Sequence, residues 1–160
     1  MKYTVKSTAL SAADNNPIIG VFEDNTLSNA AARLDELSQG YLTGLMKSGE
    51  IEGKAGQVCV LRNIPNINAE RIFVVGCGKR EKLNEREYKK LLRKTIETVK
   101  TTKAKSAVNY LSEIHPDNRD AYWAIRFAVE TSEESLYSFE QFKSKKKRHG
   151  FSIERNRILR

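Results

Sequence analysis

The stretch from Arg71 to Val99 constrains the fold more than any other, because an apolar run, a glycine-flanked turn and an amphipathic helix follow one another without interruption. Ile72, Phe73, Val74 and Val75 read as a strand covered on both faces, since a half-solvated strand would alternate apolar with polar residues. Gly76-Cys77-Gly78 then lets the backbone turn where side chains would crowd. Asn84 stands as a helix N-cap with Glu87 three residues on. Beyond it Tyr88, Leu91, Leu92, Ile96 and Val99 recur on one face, while Lys89, Lys90, Arg93, Lys94 and Lys100 point elsewhere. Gly76, Gly78 and Lys79 form a candidate anion-binding turn, because glycine lets backbone N–H groups approach an anion and lysine supplies charge. The spacing favours a plain tight turn. A dinucleotide fingerprint needs a third glycine where Glu81 stands, and about six residues intervene before the helix.

The rest of the chain repeats the alternation of strands and helices. Lys2 to Ser7 and Pro17 to Phe22 read as two strands, separated by the turn residues Asp14-Asn15-Asn16. Leu27, Ala30, Leu34, Leu37, Tyr41 and Leu45 keep a helical period across Gly40 and Gly44, which predicts one bent helix or two short ones. Strands are predicted over Gln57 to Arg62 and Ser106 to Leu111, and a wide-faced helix over Asp117 to Ser132. Tyr137 and Phe139 in the run YSFEQF alternate as a further strand would. Such alternation indicates an α/β sheet with helices on both faces.

A chain of 160 residues fits one ordinary domain with a core that needs no disulfide. Cys59 and Cys77 each lie in apolar, strand-like runs and read as reduced, buried thiols. A cytoplasmic location is the expectation, and no run approaches the roughly 20 apolar residues of a membrane span. The net charge of +8 is concentrated at one end: Lys143, Lys145, Lys146, Lys147, Arg148, Arg155, Arg157 and Arg160 face only Glu154. The body is close to neutral. Candidates for catalysis are thin, with no HExxH, CxxC or GxSxG pattern. His115 and His149 read as solvated surface, and Glu133-Glu134 as a solvated helix end. Glu85 with Lys89, and Arg93 with Glu97, have i,i+4 spacing and would support the helix by roughly 0.2–0.5 kcal/mol each.

Separated blocks of residues carry a resemblance. Leu34-Asp35-x-x-x-x-Gly40-x-Leu42 is followed by Gly49-Glu50-Ile51-x-Gly53-Lys54-x-Gly56, then by Phe73-Val74-Val75-Gly76-x-Gly78-Lys79, and last by Tyr137-x-Phe139-x-x-Phe142-Lys143-Ser144. In this order they resemble the N-terminal domain of the leucyl (cytosol) aminopeptidases over residues 1–147, leaving 148–160 as a basic segment, last strand or interdomain linker. The resemblance implies a macro-domain-like three-layer α/β/α sandwich around a mixed β-sheet. It also implies a non-catalytic domain of a metallopeptidase hydrolase, whose two divalent ions, Mn or Zn, belong to a catalytic domain absent here. The implied partners are that catalytic domain and the other copies of a homo-hexamer, with a role in hexamer assembly and active-site access. No metal ligand, catalytic residue or membrane is expected of this chain. Because some bacterial members bind DNA, Lys143, Lys145, Lys146, Lys147 and Arg148 are the candidate nucleic-acid-binding residues. Because macro domains in general can bind ADP-ribose, Gly76, Gly78 and Lys79 are the place for such a ligand.

Overall fold

The apolar run after Arg71 forms a strand with every residue buried, and it sits inside the sheet rather than at its rim. The computed structural model describes residues 3–6, 10–11, 15–143 and 152–156. In chain order the elements are β1 (Tyr3–Lys6), β2 (Pro17–Val21), α1 (Asn29–Leu37), α2 (Tyr41–Lys47), β3 (Val58–Leu61), β4 (Ile72–Gly76), α3 (Glu85–Thr101), β5 (Ser106–Asn109), α4 (Ala121–Lys143) and β6 (Ser152–Asn156). The six strands form one sheet in the order β1-β6-β5-β2-β4-β3. Neighbours are parallel except for β3, which runs antiparallel to β4 at one edge.

Period-two alternation along the central strands divides the core into two layers. Ile18, Phe73 and Val75 face Tyr88, Leu91 and Leu92 of α3 and Ala124 and Ala128 of α4. Ile19, Val21, Ile72 and Val74 face the opposite way, onto Ala30, Ala31 and Leu34 of α1 and Leu42 and Met46 of α2. The register locks these sets together, with Ile18 beside Phe73 and Ile19 beside Val74. The architecture is a three-layer α/β/α sandwich, with helices on both faces as the patterning indicates and around the mixed sheet that the resemblance implies.

Local starts and stops follow ordinary capping chemistry. The Asn84 side chain accepts from Glu87 N at 2.9 Å and starts α3 where predicted. Gly40 takes φ +85° and divides the Leu27–Leu45 period into two helices. Asp120 accepts from Trp123 N at 2.9 Å, so α4 begins there rather than at Asp117.

Several expectations are corrected. Residues 137–142 are not a strand but lie within α4, which meets no glycine or proline between Ala121 and Lys143; an uninterrupted helix propagates through a local aromatic alternation. Glu133 and Glu134 are consequently exposed residues inside a helix, not at its end. The strand after Ser106 stops at Asn109, because Leu111–Ile114 winds into a 3-10 turn. Glu85 pairs with Arg119 at 2.7 Å and Arg93 with Glu134 at 3.6 Å, so these charges tie α3 to α4 and to the residues just before it. Cys59 is half-buried, being on the edge strand, while Cys77 is buried; neither is in a disulfide.

The end of β4 comes unusually close to another part of the chain. A Cβ at Gly76 would overlap the carbonyl oxygen of Lys54, a backbone atom with nowhere to move. Gly76→Ala is therefore expected to cost about 2–3 kcal/mol of stability in urea unfolding, as overpacking against backbone does. The buried thiol beside it gives a second expectation. Burial pushes Cys77 up to about 12, and burial also raises Tyr88 of α3. An unfolded thiol releases its proton near 8.5. Above that value the folded chain holds more protons than the unfolded one, so stability falls as pH rises toward 12, by up to about 1.4 kcal/mol per pH unit for this group. Urea midpoints measured from neutral to strongly alkaline pH should fall in that window, and Cys77→Ala should flatten the slope.

Candidate functional site

Strand β2 hands the chain to α1 on one face, whereas its neighbours β4 and β5 hand it to α3 and α4 on the other. Open α/β sheets bind ligands outside the carboxyl ends of strands where the connections part in this way. Two clefts lie there. One, of about 430 Å³, is bordered by Phe22, Asp24, Ser28, Asn29, Arg80 and Glu113. The other, of about 650 Å³, is bordered by Glu23, Cys77, Lys79, Lys82, Asn84 and Glu87.

The glycine turn belongs to the second cleft, and its backbone donors are engaged. Gly76 N donates to Gln57 O at 2.6 Å, Cys77 N to Val21 O at 2.8 Å and Gly78 N to Gly53 O at 2.8 Å. Gly78 O accepts in turn from Glu23 N at 3.0 Å. The turn thus ties the end of β2 and the loop before β3 to the end of β4. Of the candidate anion-binding residues, Gly78 and the exposed Lys79 border this cleft together with Lys82, whereas Gly76 is buried behind it. Two carboxylates, Glu23 and Glu87, border the same cleft, and Glu87 is 3.6 Å from Lys90.

The first cleft is organised by the N-terminus of α1. Ser28 Oγ accepts from Ala31 N at 3.1 Å. Glu113 Oε1 accepts from Ala30 N at 2.7 Å, arriving from the turn after β5, 83 residues along the chain. Burial pushes the Glu113 carboxyl up and the Ala30 N–H draws it back down. Arg80 lies 5.6 Å from the centroid of the Phe22 ring and 3.6 Å from the Asp117 carboxylate. None of Phe22, Arg80 or Glu113 stood out in the sequence. The one available signal was that α1 carries no acidic residue in its first turn, so its N-terminal donors had to be met from elsewhere.

Among the other candidates that are described, His115 borders neither cleft. Lys143 is the last residue of α4, and Lys145, Lys146, Lys147, Arg148 and His149 lie outside the described residues. His115 is half-buried, its Nδ1 3.0 Å from Pro116 O. Among the described residues no group of three or more His, Cys, Asp or Glu side chains is gathered as a metal ion would require, and no helix is long and apolar enough to cross a membrane.

This architecture has relatives in sequence and in structure. The profile of the cytosol aminopeptidase family, N-terminal domain, matches residues 18–146. A probable cytosol aminopeptidase of Histophilus somni is 56% identical over 146 residues, which are 91% of this chain and 30% of that protein. The chain thus spans about a third of the length of the curated relatives it matches. Among solved structures, a tomato leucine aminopeptidase variant superposes with a TM-score of 0.68 at 17% identity, covering 97% of this chain and 32% of the other. The macrodomain of Mycobacterium tuberculosis DarG superposes with a TM-score of 0.59 at 13% identity, covering 98% of this chain and all of the other. The fold is that of a macrodomain, and the chain belongs to the cytosol aminopeptidase family, whose N-terminal domain it spans.

Proposed function

We propose that this chain is a non-catalytic domain of a cytoplasmic di-metal aminopeptidase, with a role in hexamer assembly and in access to an active site built by the rest of the polypeptide. The observation that carries the reading is the high identity to cytosol aminopeptidases over only 30% of their length. The side chains described here supply no ligand set for the two divalent ions, Mn or Zn, that such chemistry would use. Metal binding and peptide hydrolysis are accordingly assigned to the other two thirds of the relatives. The chain alone should release no amine from leucine p-nitroanilide with added manganese or zinc. Exchanged for the matching part of the Histophilus somni relative, it should give an active hexamer by light scattering. Metal-dependent turnover by the purified chain, or a chimera that folds but neither assembles nor turns over, would overturn the assignment.

A second reading rests on the concentration of charge after Lys143. Lys143, Lys145, Lys146, Lys147 and Arg148 would bind DNA through its phosphates without reading base sequence. Neutralising about five phosphates gives a slope of log K against log salt near −4.5 on duplex DNA. Mobility shifts should weaken when Lys145, Lys146 and Lys147 are changed to alanine, and identical binding curves would remove this reading.

A further inference from the structure

Contacts from three of its residues hold the turn Leu111–Ile114 in the cleft between the carboxyl ends of β2 and β5. Ile114, 2% exposed, lies directly on Gly20, where any Cβ would overlap its Cδ1 and stand 3.0 Å from Cys77 Sγ. Leu111 is fixed at both ends: its N–H donates to Asn109 Oδ1 at 2.9 Å, and its carbonyl accepts from the Tyr88 hydroxyl at 2.6 Å. Glu113 reaches the N-terminus of α1 and takes the Ala30 N–H at 2.7 Å. A helix N-terminus facing the crevice beside a central parallel strand is where an α/β sheet ordinarily receives a phosphate. Here a half-buried carboxylate of the same chain already occupies it.

The charge of the cleft points the same way. Asp24 and Glu113 border it against Arg80 alone, and Arg80 is itself beside Asp117. The neighbouring cleft offers no substitute, since the Gly76, Cys77 and Gly78 amides donate to backbone carbonyls and the two lysines that border it, Lys79 and Lys82, share its lining with two carboxylates, Glu23 and Glu87. We propose that the turn Leu111–Ile114 is a built-in plug that closes the β2–β5 crevice to phosphate-bearing small molecules, with Glu113 as the internal anion. The plug acts on this crevice alone, whichever part of a longer protein carries out hydrolysis.

The test is titration of inorganic pyrophosphate and of ADP-ribose into the isotope-labelled chain, following the Ala30 amide by NMR and heat by calorimetry. The unmodified chain should show neither a moving Ala30 resonance nor a binding heat at millimolar ligand. Glu113→Ala, shown by circular dichroism to be folded, should shift the Ala30 resonance on its own and bind pyrophosphate roughly tenfold or more tightly than the unmodified chain, on the scale of a freed helix terminus. Should the alanine variant not fold, Glu113→Ser carries the same comparison, since its side chain is too short to reach Ala30. Binding of either ligand by the unmodified chain with movement of the Ala30 amide would overturn the proposal. A folded Glu113 variant as silent as its parent would overturn it as well.

Discussion

Strand β2 has neither a face nor an edge in contact with water, and the positions of the other central elements follow from that. Its five residues are all buried, and it pairs with β4 on one side and β5 on the other. A strand so enclosed needs an apolar residue on each face at nearly every step, which PIIGV supplies. Ile18 faces the layer of α3 and α4, and Ile19 and Val21 face the layer of α1 and α2. The exception is Gly20, whose missing side chain opens the one place where a turn can settle onto the strand. The interior of the domain and the closure of its crest are thus two consequences of one five-residue sequence.

Glycine at the carboxyl end of a buried strand has two physical meanings, and local sequence does not separate them. It can bring backbone N–H groups to a ligand, or it can bring one backbone to another. At Gly76 the second applies: Lys54 O stands where a Cβ would be, and the following amides bond to Val21 and Gly53 carbonyls. The blocks around Gly53 and around Gly76 therefore belong to a single structural unit. A pattern that looks like a loop poised for a ligand is the seam along which three segments of the chain are joined.

What could be read from the sequence and what could not divide along the same line. Strands β2 and β4, helix α3 and its Asn84 cap were legible because each is specified by neighbours a few residues away. The run at 137–142 misled for the complementary reason. Six residues with strand-like alternation say little when sixteen residues of unbroken helix lead into them, since a growing helix gains one hydrogen bond per residue while a strand needs a distant partner. Glu113 was illegible in a stronger sense. Its partner lies 83 residues away, and nothing near residue 113 marks it as the residue that meets the first turn of α1.

The crest also bears on how the domain relates to chemistry carried out elsewhere. Every helix start presents N–H groups with no partner inside the helix, and these must be met by a side chain, by water or by a ligand. In α1 the Ala30 and Ala31 N–H groups are met by Glu113 and Ser28, and in α3 the Glu87 N–H is met by Asn84, so both helices that open onto this end of the sheet take caps from within the chain. Arg80 rests against Phe22 and Asp117, and Tyr88 anchors Leu111 from beneath. A surface built this way holds its shape without a bound small molecule. For a domain whose proposed task is to shape a larger assembly, that self-sufficiency is the physical requirement: a docking surface must already have its final form when its partner arrives, because any ordering left undone is charged against the association.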